Sequence, residues 1–229
     1  MALRIGITTN TEKKNLSHNP DTPKDVLRKL AKDADWVIRG NVSKNPNTSL
    51  DSLQELANDS DYWIRENVAK RVDTPLFLLQ QLALDTHEEV RRHVAKNPNT
   101  PEDLLRYLSK DTDAWVRRTL AFNPNTPEDA LQHLVKDVDF MTRRNIGENP
   151  STPDNVLQHL AKDRDPGVRE NLCNNSNSSS NTLVILFEYT KSFKEPDTDV
   201  MRKLYKNEKL PTGVKKVIET LYGEWVRWI

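Results

Sequence analysis

Threonine recurs in this chain with a fixed step. Thr22, Thr48, Thr74, Thr100, Thr126 and Thr152 stand 26 residues apart, and the next step reaches Ser178, another hydroxyl. Asp33, Asp59, Asp85, Asp111, Asp137 and Asp163 keep the same step, as do Arg39, Arg65, Arg91, Arg117, Arg143 and Arg169. The heptapeptide NPNTPED occurs at 97–103 and again at 123–129. A period of this length, held through most of 229 residues, restricts the chain to a linear array of equivalent units that rest on their neighbours.

The unit NPNTPEDLLRYLSKDTDAWVRRTLAF, from Asn97 to Phe122, predicts two short helices. Thr100 before Pro101 reads as an N-cap with proline at the first helical position, and Asp103 three residues on completes a capping-box pattern. Leu104, Leu105 and Leu108 form an apolar stripe that ends near Lys110. Asp113 predicts the cap of a second helix with Val116, Leu120 and Ala121 inward. The following Asn-Pro stops it, because proline lacks a donor and forces the preceding residue out of helical geometry. Neither helix buries its apolar face alone, so units stack.

Hydrophobic residues make up 35% of the chain, low for a globule, and strictly periodic Leu, Val and Ala place them in a thin stacked core rather than a disordered chain. Lys plus Arg equals Asp plus Glu, 34 each, so no global positive field gathers nucleic acid or an anionic membrane. The start, MALRIGITTN, carries too brief an apolar run for a signal-peptide core, and no stretch approaches a membrane span, from which a soluble, cytoplasmic protein is expected. Cys173 is the single cysteine; it shares a slot with Ser43, Ala69, Ala95, Ala121 and Gly147, which asks for a small packed side chain. No cofactor and no metal are expected.

The expected fold is all-α: a right-handed α-solenoid, or superhelix, of about seven 26-residue helical hairpins with terminal caps, forming a single domain from 1 to 229. Residues 1–21 form the N-terminal cap, with a lone second helix at 10–18 because NLSHNP matches NVSKNP at 41–46. Residues 22–174 are six regular repeats, and 175–229 hold a degenerate repeat and a capping helix. In that tail Ser178 reads as a cap, and Asp197 with Val200 recovers the second-helix pattern. Pro211 opens a last helix whose face, Val214, Val217, Ile218, Leu221, Trp225 and Ile229, closes the core; the alternative is a docking helix for a partner.

The repeat resembles the leucine-rich repeat variant, a bacterial α-helical family related to HEAT repeats, well over 15–175 and weakly beyond. The resemblance implies that each aspartate between helices and the arginine six residues later belong to a ladder linking neighbouring units. It also implies a protein-binding scaffold. A cysteine-bound iron–sulfur cluster known in that family does not carry over, since no cysteine precedes Cys173.

In repeats of this build the second helices line the concave side. With Ile38 and Val42 inward, the stripe at 37, 40 and 44 and its equivalents faces solvent: Val37, Gly40, Lys44; Trp63, Glu66, Lys70; Glu89, Arg92, Lys96; Trp115, Arg118, Phe122; Met141, Arg144, Glu148; Gly167, Glu170, Asn174. The stripe varies while the core does not. The sequence therefore points to a non-catalytic scaffold or adaptor that binds a protein or peptide there through Trp63, Arg92, Trp115, Arg118, Phe122 and Arg144. The competing reading has the tryptophans covering neighbouring helices and the arginines pairing with Glu66, Glu89 and Glu148. A nucleic-acid-binding HEAT-like protein using the ladder Arg92, Arg118 and Arg144 is the alternative function, weakened by zero net charge. His133 and His159 share one tolerant outer slot and lack a third ligand, and His18, His87 and His93 show no partner in sequence. With no phosphate loop or hydrolase motif, catalysis is the least supported class.

Overall fold

The computed structural model describes residues 9–195 and 197–223, and among them it contains helices and turns but no strand. The chain divides into two compact units, Met1–Leu104 and Leu105–Ile229. The first begins with the lone helix α1, Asn10–His18, as the half-repeat predicts. Its first helices are α2 Lys24–Leu30, α4 Leu50–Leu56 and α6 Leu76–Leu82; its second helices are α3 Trp36–Lys44, α5 Tyr62–Lys70 and α7 Glu88–Lys96. Helix α8, Glu102–Leu108, carries the boundary between the units. The second unit continues the alternation with α9 Ala114–Phe122, α10 Glu128–Leu134, α11 Phe140–Glu148, α12 Asp154–Leu160 and α13 Pro166–Asn174. Its tail comprises α14 Ser180–Lys191, α15 Thr198–Lys206 and α16 Thr212–Tyr222.

Helices of seven and nine residues are too short to persist alone. Their stability comes from stacking. Within each unit Ile38, Val42, Ile64 and Val68, or Val116, Leu120, Leu131 and Ile146, are fully buried, and each aliphatic side chain so removed from water contributes about 1.5–3 kcal/mol. Second helices approach one another more closely than first helices do. Small residues at the crowded slot allow this, and Cys173 fills it as predicted, buried and with its thiol pushed up to about 12 by desolvation.

The second helices start where the sequence places them. Asp35, Asp61, Asp113, Asp139 and Asp165 each accept from an amide of the first turn, and His87 does so through its ring nitrogen in the same slot. Where an Asn-Pro follows they stop at it, as at Asn123 after α9, while α5 and α13 stop at the same place in the repeat without a proline.

The threonines do something other than predicted. Thr48 Oγ1 donates to the Val42 carbonyl at 2.6 Å, Thr126 to Leu120 at 2.7 Å and Thr152 to Ile146 at 2.7 Å, and Thr100 points back in the same way to Val94 at 2.6 Å. Each hydroxyl closes the helix behind it instead of capping the one ahead. Proline takes the N-cap position of α2, α6, α10 and α12, without a side-chain cap. The tail shows the same correction: Ser178 donates to Leu172 at 2.7 Å, and its neighbour Ser179 caps α14.

The asparagine that follows a second helix has a role that local reading misses. Asn149 Nδ2 donates to the carbonyls of Ala121 and Asn123 at 2.9 and 3.0 Å, and Asn175 to those of Gly147 and Asn149 at 2.8 and 3.0 Å. In the first unit Asn45 and Asn97 repeat the pattern. Each asparagine thereby satisfies the carbonyls left open where the preceding second helix ends. Arg71 stands in this series where asparagine is usual, and its longer side chain still reaches the carbonyls of Ser43 and Asn45 at 3.2 and 2.7 Å.

The charged ladder forms as the resemblance implies. Arg39 grips Asp59 of the next repeat with Nε at 2.7 Å and Nη2 at 3.1 Å, while Nη1 donates to the Asp33 carbonyl at 2.8 Å. Arg65 with Asp85, Arg117 with Asp137 and Arg143 with Asp163 repeat the bidentate pairing. Lys13 takes the arginine slot in α1 and pairs with Asp33 at 2.8 Å. At the other end Arg169 reaches Asp197 at 3.3 Å, because the longer α14 stretches the repeat.

In α15 the recovered pattern holds, with Asp197 as cap and Val200 buried. In α16 only part of the predicted face turns inward. Ile218 is buried, Val217 and Leu221 are exposed, and Trp225 and Ile229 lie outside the described residues. No described helix is long and apolar enough to cross a membrane.

Candidate interaction surface

In the first unit the stripe on the second helices is less open than the sequence implies. Gly40 and Glu66 are buried. Gly40 is covered because the Trp63 indole lies against it, and a Cβ at that position would run into the ring. Trp36 meets Trp63 edge to face, with centroids 5.5 Å apart at 79°, and the Lys44 ammonium sits 4.2 Å above the Trp63 ring. Trp63 is thus half-buried between two helices. Arg92 on α7 pairs with Glu89 one turn earlier at 2.6 Å.

The histidines here have partners that only the stacking reveals. The His87 ring lies flat on Tyr62, 3.6 Å between centroids and 1° between planes. His93 packs toward α5, with Nδ1 2.8 Å from the Glu89 carbonyl and 3.4 Å from Glu66 Oε1. Desolvation lowers its pKa, against the raising effect of the Glu89 carbonyl. Glu66 also pairs with Lys70.

In the second unit the aromatic residues of the stripe stand open. Trp115 and Phe122 on α9 are 58% and 53% exposed. The Arg118 guanidinium lies 4.6 Å over the Trp115 ring and holds Asp139 with both nitrogens, at 2.7 and 2.8 Å. Asp139 also accepts from the Thr142 amide and hydroxyl at 2.9 and 2.8 Å. Arg118 before all else, then Thr142, holds the carboxyl well below the usual carboxylate range despite burial. Arg144 on α11 behaves differently: it lies flat on Gly167 of α13, where a Cβ would meet its guanidinium, and among the described residues no carboxylate pairs with it. Glu148 accepts from Asn171 Nδ2 at 2.9 Å, and Glu170 pairs with Lys203 at 2.9 Å.

Of the six residues singled out by sequence, Trp63 and Arg92 belong to the first unit, and Trp115, Arg118, Phe122 and Arg144 to the second. The latter four lie on the neighbouring helices α9 and α11. The acids that engage the arginines are Glu89 and Asp139, and the second of these was missed. Asp139 caps α11, so its side chain could be placed beside Arg118 only by knowing how α9 and α11 stack. His133 and His159 are both exposed, and no group of three potential ligands among the described residues includes either.

No protein-family model and no curated relative matches the chain. Among solved structures, one described as a leucine-rich repeat variant with a novel repetitive protein structural motif is 26% identical to it. The match covers 81% of this chain and 71% of that one, with a TM-score of 0.63. An engineered protein aligns over 95% of this chain and 89% of its own at 14% identity, with a TM-score of 0.23, too low to carry an argument.

Proposed function

We propose, on the premise that this chain shares the helical-repeat architecture of the leucine-rich repeat variant, that it is a non-catalytic scaffold whose second helices bind a protein or peptide. The observation that carries the reading is the second unit's stripe: two exposed aromatic rings, Trp115 and Phe122, with Arg144 beside them lacking a carboxylate partner. Large aromatic side chains and arginine dominate binding energy at protein interfaces, and solvent-facing apolar groups clustered on one face suit a partner. In the first unit Trp63, more deeply set than Trp115, and Arg92 offer the equivalent contacts.

The nucleic-acid reading draws less support. It needs the ladder Arg92, Arg118 and Arg144 free for phosphates, and two of the three are engaged by Glu89 and Asp139. These pairs also decide which substitutions make a clean test. Charge reversal at Arg118 would set a new carboxylate against Asp139 and unsettle α11. The informative variant is therefore Trp115→Ala with Phe122→Ala and Arg144→Glu. With the full chain as bait, quantitative affinity capture is expected to lose a specific protein in this variant while the thermal midpoint moves by only about 2 °C. Capture that is indifferent to all three changes, or binding to random duplex DNA with a steep salt slope that Arg144→Glu abolishes, would sink the proposal.

A further inference from the structure

Glu66 is a carboxylate with unusually little water around it, 7% exposed on a slot that elsewhere holds Gly40, Arg92, Arg118, Arg144 and Glu170. On the neighbouring helix, Glu89 and His93 are four residues apart and so project from one face. One donor atom each from Glu66, Glu89 and His93 lies within 4.8 Å of the other two. One of these edges, His93 Nδ1 to Glu66 Oε1, is 3.4 Å. That is the separation of two ligands that each lie about 2.1 Å from a shared tetrahedral centre.

We propose that Glu66, Glu89 and His93 bind one divalent transition-metal ion of the zinc type, leaving a fourth coordination position to water or a further ligand. Two carboxylates balance the ion's charge, and the imidazole selects against calcium and magnesium, which take oxygen ligands. The present partners of the acids yield readily. Lys70 on Glu66 and Arg92 on Glu89 have side chains 42% and 33% exposed, and the bound ion would replace the positive charge that each withdraws from its carboxylate. Both cations can turn outward into water.

His93 requires one rearrangement. Its Nδ1, 2.8 Å from the Glu89 carbonyl, is hydrogen-bonded to it, so the ring must change tautomer as the ion binds: Nδ1 gives up its proton to water, Nε2 takes one from water, and the imidazole stays neutral. The carbonyl is not orphaned, because within α7 it still accepts the helical N–H of His93. Burial already favours the neutral imidazole, the form that can ligate. The site is independent of whether the neighbouring face binds a peptide.

Titrating the full chain with cobalt(II) and zinc(II), followed by calorimetry and by the visible absorption of cobalt, tests this. One ion per chain is expected, with a spectrum of four-coordinate cobalt. His93→Gln and, separately, Glu89→Gln should each weaken binding by about tenfold or more. A double variant His133→Gln/His159→Gln, which removes the most evident adventitious surface ligands, should bind as the parent does. Excess magnesium or calcium should not displace the ion. Melting curves verify that each variant is folded, and if one is not, the other decides. The proposal fails if no stoichiometric binding occurs, if both single variants bind as the parent does, or if binding disappears with His133 and His159.

Discussion

Asp59 and Asp85 show how single residues carry the ladder. Burial would raise both carboxyls, yet for Asp59 the Arg39 guanidinium and the Asp61 amide outweigh it, and for Asp85 Arg65 and the His87 amide do. Both therefore lie below the ordinary 3.8 in the folded chain, as does Asp139, held down by Arg118. A carboxyl whose folded pKa is depressed contributes stability that is complete above its unfolded value and is lost as pH falls toward the folded one. The urea midpoint is accordingly expected to stay level from neutral pH to about pH 5 and to fall below about pH 4. Asp139→Asn should make that fall shallower, and a midpoint level down to about pH 3 would contradict the linkage. The ladder's members were visible in the spacing. Its direction, from each arginine to the aspartate 20 residues ahead, came from the resemblance and the stacking, because spacing alone equally allows a pair within one repeat.

For whole helices, what was legible depended on how local the signal is. The caps of the second helices follow from one aspartate two or three residues before the amide that donates to it, so the sequence locates them. A threonine between two helices is ambiguous, since a hydroxyl can accept from the helix ahead or donate to the helix behind. Where a second helix ends, with an Asn-Pro as after α3 and α9 or without one as after α5, its last carbonyls are left open and the threonine serves them. Thr126 separates the two roles. An N-cap tolerates aspartate, whereas a carboxylate cannot donate to the Leu120 carbonyl. Thr126→Asp should therefore cost about 2–4 kcal/mol in chemical denaturation at neutral pH, and Thr126→Ser under about 1 kcal/mol. Equal stability of the two variants would restore the N-cap reading. The face of α16 was legible only in part, because Val217 and Leu221 carry a helical period that the structure leaves exposed.

Across the molecule, a stack of equivalent hairpins tolerates loss of a whole unit but not of half. Deleting 123–148, which joins Phe122 to Asn149 in register, should leave a helical chain that still melts cooperatively, while a 13-residue deletion of 136–148 should not; circular dichroism reads both outcomes. We propose, from a register that holds through most of the chain, that residues 1–229 form one domain, and a single transition in the melt of the intact chain checks it. By itself the sequence determined the period, the helix count per repeat, the second-helix caps and the buried stripe. Each of these follows from hydrogen bonding and sterics within a few residues, copied until the pattern admits one reading. Only the tertiary structure decided which carbonyls Thr126 and Asn149 satisfy, that Trp63 shelters in the space left by Gly40, and that Glu66 faces His93. Those outcomes depend on how far each helix is rotated and shifted against the next, and that is set by side-chain packing between helices, which periodicity along the chain does not specify.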